Sequence, residues 1–285
     1  MQMFDVENES SKEIKLNMRF IKLDGLSQIN LDNKLYLCGL SGVKNEKFNG
    51  SSFICIDPAL EPAQITFLVY SKFPHYYPSL LDAYLHLIVI GGHKNLHCEM
   101  FHKEKKTWNE LADLPEERYN CNLAYDYKKN MVYLFGGFNS AENRVCTSIL
   151  KLSIKKLQNT WETIVVVPNM YSNTQKIFSC VCNHNNGNIF ILGGKSNVSD
   201  NSCHQHQIDV SDEIMEWEFG QKNFNFIKSP LRLSKNSTFS SVRHSIEFNG
   251  YHYMIDDDNL IHKLSVNEKK SYVYAFDNTE EYTQA

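Results

Sequence analysis

The closest approach to a chemical motif is Cys180-x-Cys182-x-His184 followed by Cys203-His204-x-His206. Thiolates and imidazoles are zinc ligands, and four that converge make a closed structural site. Zinc-binding cysteines, however, usually stand two to four residues apart on a turn. Here a single residue separates Cys180 from Cys182 inside the apolar run FSCVC. The preferred reading places both cysteines in the wall of an inner strand, where a thiol acts as a small hydrophobe. His204 and His206 then lie in a polar loop or strand, and no metal is assigned. The carboxylates Glu116-Glu117 and Asp256-Asp257-Asp258 sit at turn-like positions, and the latter lack the alternating spacing of a calcium loop. No nucleophile elbow, H-E-x-x-H pair, phosphate loop or G-x-G-x-x-G fingerprint occurs. The eleven histidines are scattered. No cofactor and no catalytic residue are expected.

Composition narrows the class. The 285 residues carry 29 Lys+Arg against 33 Asp+Glu, a net charge of −4, and 42% are hydrophobic. That is apolar material for one large core or two small ones, and it excludes bulk disorder. A slightly acidic chain without a basic face is a poor nucleic-acid binder. No apolar run approaches the roughly 20 residues of a membrane helix, so no membrane insertion is expected. The N-terminal MQMFDVENESSKE is too polar for a secretory signal. The eight cysteines are accordingly expected as thiols in a cytoplasmic or cytoskeletal setting.

The elements that carry these residues form a repeat. Apolar runs ending in small residues recur as KLYLCGLSG (Lys34–Gly42), LHLIVIGGHK (Leu85–Lys94), MVYLFGGFN (Met131–Asn139) and NIFILGGKS (Asn188–Ser196). A fifth, YHYMIDDDN (Tyr251–Asn259), replaces the glycines with Asp. Their anchor positions, 39, 91, 136, 193 and 256, are spaced as four-stranded propeller blades are. Each run follows another apolar strand and a tight turn (LDNKL, DYKKN, NHNNGN, EFNGY) whose Asn, Asp and Gly tolerate positive φ. Third strands are read in CEMFHK, SILKLSI, HQIDV and LIHKLSV, and fourth strands in TWNEL, TWETIVVV, MEWEFG and SYVYAF. Short apolar strands with turn signals about every ten residues predict an all-β fold.

These residues resemble the kelch repeat over roughly residues 26–276. The resemblance rests on Gly91-Gly92, Gly136-Gly137 and Gly193-Gly194, each with a downstream tryptophan (Trp108, Trp161, Trp217), and on LPEERYNCNLAYD (Leu114–Asp126). It implies a kelch-type β-propeller of four-stranded blades, approximately 26–70, 78–112, 119–167, 177–220 and 238–276. Phe67 stands in for tryptophan in the first and Tyr272 or Tyr274 in the fifth. Residues 1–24 resemble the outer strands of an incomplete blade, and the stretch FNFIKSPLRL could hide extra strands. Six blades are expected, with five and seven as the alternatives. The glycines and tryptophans are read as structural.

The resemblance further implies a protein-binding scaffold, cytosolic or associated with cytoskeleton or cilium, with an unidentified protein partner. A substrate-recognition subunit of a ubiquitin ligase, if the natural chain is longer, and a metal-dependent or carbohydrate-acting propeller enzyme are the alternatives. Two loop sets are candidate partner sites. Loops after the second strand supply His93, Lys94, Asn139, Arg144, Lys195 and Asn197. Loops leading into the first strand supply His75, Tyr76, Tyr77, Arg118, Tyr119, Tyr171 and Arg243. The two sets are expected on opposite mouths, and the second is preferred because exposed Tyr and Arg anchor interfaces. Arg118 could instead brace neighbouring blades. The lysine turns Lys103-Lys105-Lys106, Lys155-Lys156 and Lys269-Lys270 suit an acidic partner, or merely solubility.

Overall fold

The turn residues set the strand register. Asp32 and Asn33 take φ of 50° and 58°, and Asn249 and Gly250 take 51° and 77°. Two consecutive positive φ values close a two-residue hairpin whose twist matches its strands. Leu31 therefore faces Lys34, and Phe248 faces Tyr251.

A computed structural model of the protein describes residues 2–5, 7–8, 10–13, 25–40, 51–60, 62–146, 148–155, 160–166, 177–183, 188–197, 208–210, 213–219, 221, 225–228, 245–256, 260–265, 268, 270–275 and 278–282. The chain divides into two compact units, Ile14–Ile164 and Gln2–Glu13 with Val165–Ala285. All regular structure among the described residues is β. Among the described residues, β1 (Gln2–Asp5) and β2 (Ser10–Glu13) pair with each other as a two-stranded hairpin. It groups with the C-terminal unit.

The larger unit holds three antiparallel four-stranded sheets. The first comprises β3 (Ser27–Leu31), β4 (Lys34–Leu40), β5 (Ser52–Asp57) and β6 (Gln64–Phe67). The second comprises β7 (Ser79–Ala83), β8 (His86–Ile90), β9 (Cys98–His102) and β10 (Thr107–Leu111). In the third, β11 (Asn122–Asp126) and β12 (Met131–Phe135) are followed by a small hairpin of β13 (Phe138–Asn139) and β14 (Arg144–Val145). The sheet then resumes with β15 (Ser148–Ser153) and β16 (Glu162–Val166).

These sheets stack face to face because period-two alternation gives each strand two faces and both are apolar. Leu80, Leu87, Val89 and Phe101 of the second sheet pack on Ile29, Cys38 and Phe53 of the first. Leu81, Ile88, Ile90 and Met100 pack on Leu123, Val132, Leu134 and Leu150 of the third. Fully burying each such side chain stabilises by about 1.5–3 kcal/mol. The starts of the inner strands are tied in the same way twice. The Ser27 hydroxyl donates to Pro78 O, and the Ser79 hydroxyl donates to Cys121 O at 2.9 Å.

Two tryptophans occupy equivalent wedges. The Trp108 indole N–H donates to Val69 O at 2.8 Å and that of Trp161 to Ala112 O at 2.9 Å. Each acceptor lies just past the outermost strand of the preceding sheet. Phe67 does not stand in for tryptophan in the first sheet: it is 59% exposed, and Leu68 packs inward instead.

The smaller unit holds β17 (Ile177–Asn183), β18 (Asn188–Asn197), β19 (Ile208–Val210), β20 (Glu213–Glu218) and β21 (Asn225–Lys228) in one sheet. Its order is β17-β18-β20-β21, with β19 pairing only the far end of β18. This corrects the strand assignment. Of HQIDV, Ile208–Val210 is a side strand; Glu213–Glu218, expected in the fourth strand, supplies the third, and NFIK supplies the fourth. Trp217 accordingly differs from its counterparts, its indole donating to Gln221 O at 2.9 Å. The strand also does not end at Gly193-Gly194 as the apolar run does, because β18 pairs onward to Asn197. A fifth sheet contains β22 (Ile246–Phe248), β23 (Tyr251–Ile255), β24 (Leu260–Ser265), β25 (Lys270–Ala275) and, as an added edge strand, β26 (Asn278–Tyr282). The described residues thus hold five antiparallel sheets of four or five strands, and the three of the larger unit stack as propeller blades do.

Candidate functional site

Antiparallel pairing brings the two candidate loop sets of the larger unit together. Ser79, the first residue of β7, faces Ile90, the last of β8, and Asn122 of β11 likewise faces Phe135 of β12. A loop leading into a first strand and a loop leaving a second strand therefore share one mouth. The expectation of opposite mouths is corrected on this ground.

Within that mouth, position relative to the strand decides each role. His75 and Arg118 both stand four residues before an inner strand, and both side chains are fully buried. His75 Nδ1 lies 2.7 Å from Gly91 O and its Nε2 lies 2.9 Å from the Glu99 carboxylate. That carboxylate also accepts the Lys72 and Phe73 backbone N–H groups at 2.8 and 3.1 Å. Arg118 does the same work one sheet later. It donates to Gly136 O at 3.3 Å, to Ser148 O at 2.7 Å, and to the Glu116 carboxylate. Each side chain thus clamps its loop to the first glycine of a Gly-Gly pair and to the third strand. Both are buried braces within one sheet, so neither side chain is an exposed anchor, and the Arg118 side chain ties its own sheet rather than neighbouring blades.

The glycine pairs let these loops close up. Gly91 and Gly92 take φ of 57° and 130°, as Gly136 and Gly137 take 58° and 91°. A Cβ on Gly92 would stand 2.8 Å from Tyr76 O, and one on Gly137 would stand 2.5 Å from Cys121 Sγ. Only glycine permits both the conformation and the approach.

What remains accessible is a row of half-buried rings. Tyr77 meets Tyr76 at 4.5 Å between centroids, Tyr76 meets His93 at 6.4 Å, His93 meets Tyr119 at 5.3 Å, and Tyr119 meets Phe138 at 5.7 Å. All four contacts are edge-to-face, the geometry that ring quadrupoles favour. The backbone fixes the row. His93 N–H donates to Tyr76 O at 2.6 Å, and Tyr119 and Phe138 exchange backbone hydrogen bonds of 3.1 and 2.9 Å.

Charges flank the row. Glu117 accepts the Lys94 backbone N–H at 2.7 Å and the Ser140 hydroxyl. Burial pushes the Glu117 carboxyl up, but those donors and nearby His93 prevail and hold it below its ordinary value. Burial, then the Glu117 charge, raises the Tyr119 phenol. Beyond Glu117, Glu116 bridges Arg118 and Arg144, and Arg144 also pairs with Glu142. Asn139 is buried, its side-chain oxygen accepting Glu142 N–H at 3.1 Å. Lys94 is exposed. The row thus offers edge-to-face rings of half-buried apolar area, bordered by hydrogen-bonding and charged groups.

Of the exposed anchors expected, Tyr76, Tyr77 and Tyr119 join His93 in the row, and Arg144 and Lys94 border it. Phe138 was missed, although the repeat signals it: it follows Gly137 as His93 follows Gly92. Lys195 and Asn197 lie in β18 rather than in a loop. Tyr171 and Arg243 fall outside the described residues, as do His184, Cys203, His204 and His206. Cys180 and Cys182 lie on β17 opposite Leu192 and Phe190. Among the described residues no three metal-capable side chains converge.

No family model matches this chain, and no curated protein does.

Proposed function

We propose that the protein is a kelch-type β-propeller of six blades that acts as a non-catalytic protein-binding scaffold in the cytosol or on the cytoskeleton. The propeller-like stacking of meander sheets, the Gly-Gly pairs and the wedged Trp108 and Trp161 support the architecture. The observation that carries the function is the ring row Tyr77–Tyr76–His93–Tyr119–Phe138, held by backbone ladders across two sheets at one mouth. Loops on a rigid scaffold are where recognition concentrates, and Tyr is a preferred interface anchor. The partner is a protein surface that lays apolar or aromatic groups along the row. Affinity purification from the native cell with wild type and with Tyr76→Ala/Tyr119→Ala tests this. A specific partner retained by wild type and lost by the double variant, at unchanged circular dichroism and melting temperature, is the expected result. Equal retention by both proteins would overturn the reading.

A further inference from the structure

The opposite end of the larger unit is made of turns between first and second strands and between third and fourth strands. The two kinds of turn are tied in each sheet. Lys103 N–H donates to Leu85 O at 2.9 Å in the second, and Ile154 N–H donates to Asn130 O at 3.1 Å in the third. Here the chain places its most exposed tyrosines among the described residues, Tyr84 at 79% and Tyr127 at 64%, with Leu85 also exposed.

Tyr84 is the unusual one. It takes φ of 61°, in the left-handed region. Corresponding hairpins fill such positions with Asp32-Asn33 and Asn249-Gly250, residues that tolerate the conformation. For a bulky residue it is strained, and at 79% exposure the ring recovers little by packing. Strain kept at an exposed aromatic points to a use for that side chain.

Charge describes what the patch receives. Lys34 pairs with Asp57, Lys103 with Asp82, and Lys129 lies 3.9 Å from Asp126. Lys105, Lys106, Lys128 and Lys155 are exposed and form no ion pair among the described residues, against Asp32 and Glu104 nearby. The His86 imidazole lies beside His102 at 4.9 Å between ring centroids. It is held below its ordinary value by burial first, then by His102, Lys103 and Lys105.

We infer that this end, through Tyr84, Leu85 and Tyr127 with Lys105, Lys106 and Lys128, binds an extended acidic polypeptide segment. The exposed rings and Leu85 take its apolar groups, and the lysines take its carboxylates. A polypeptide fits better than nucleic acid, because the lysines alternate with acidic side chains and form no continuous basic stripe.

Fluorescence anisotropy of a labelled peptide of Glu-Glu-Leu repeats at low salt tests the inference, with Gln-Gln-Leu repeats as the uncharged control. Saturable binding of the Glu-Glu-Leu peptide alone, weakening as salt rises, is expected. Lys105→Gln/Lys106→Gln/Lys128→Gln should weaken it by about tenfold or more. Tyr84→Asn, which the turn accepts without strain, should weaken it about fivefold. Tyr76→Ala/Tyr119→Ala, at the other mouth, should bind as wild type, so this surface and the ring row fail or succeed separately. Absence of saturable binding, indifference to the lysine and Tyr84 substitutions, or tighter binding of an oligothymidylate strand would each overturn the inference.

Discussion

Arg118 and His75 show how a side chain type is chosen by its place before a strand. Both span from a loop to the first carbonyl of a Gly-Gly pair and to the third strand, Arg118 with its planar fork and His75 with its two ring nitrogens. Glu116 completes the Arg118 brace and passes the charge on to Arg144. Burial raises the Glu116 carboxyl, but the two guanidinium groups outweigh burial and leave it below its ordinary value of 4.5. A group whose folded pKa is depressed stabilises the fold above its unfolded pKa, and that contribution disappears as pH falls through the folded value. Glu116→Gln should therefore cost about 1–3 kcal/mol at pH 7. The difference from wild type should shrink once the pH drops below 4.5 and vanish only after it has passed the lower folded value. Urea unfolding at several pH values measures it; a pH-independent difference would show that the carboxylate charge contributes nothing.

At the scale of elements, the sheets are held by wedges that one substitution can probe. Trp108 sits edge-on to Phe53 at 5.3 Å and tilted to Phe101 at 5.1 Å, with its N–H reaching the preceding sheet. Phe67 is an equally apolar residue at the outer edge of that sheet and packs little. Trp108→Ala should cost about 3–5 kcal/mol, whereas Phe67→Ala should stay within about 0.5 kcal/mol. Chemical denaturation of the two variants decides between them, and comparable losses would refute the wedge. The same contrast explains a misreading of the sequence. An aromatic near the end of a fourth strand looks like a wedge in either case, but only the register of β6 on β5 decides which face it joins.

For the molecule as a whole, buried thiols offer a readout of opening. Cys38, Cys98, Cys121 and Cys146 are buried and in no disulfide, whereas Cys55 is half-buried. Burial pushes the Cys38 and Cys98 thiols up, and the Cys146 thiol up to about 12. The thiolate is the nucleophile, so these groups should be inert while the sheets stay stacked. Alkylation with iodoacetamide, followed by peptide mass spectrometry, should modify these four only as denaturant opens the fold, in step with loss of circular dichroism. Rapid modification of Cys98 in native protein would mean that the stack of the second and third sheets opens locally.

The strand runs, the hairpin turns at Asp32-Asn33 and Asn249-Gly250, the Gly-Gly pairs and the tryptophans were legible in the residues themselves, because hydrophobic period and turn chemistry are local. The all-β class follows from them. Pairing was not legible where a polar insertion separates strands. β19 and β20 both pair with β18, at Lys195–Asn197 and at Asn188–Ile191, and only hydrogen bonding along β18 assigns Trp217 to a third strand. Nor was the site. Tyr119 and Phe138 lie nineteen residues apart, and His75 and Glu99 twenty-four, so no local pattern shows that they touch. Their meeting depends on antiparallel pairing, which returns the end of each second strand to the start of its first.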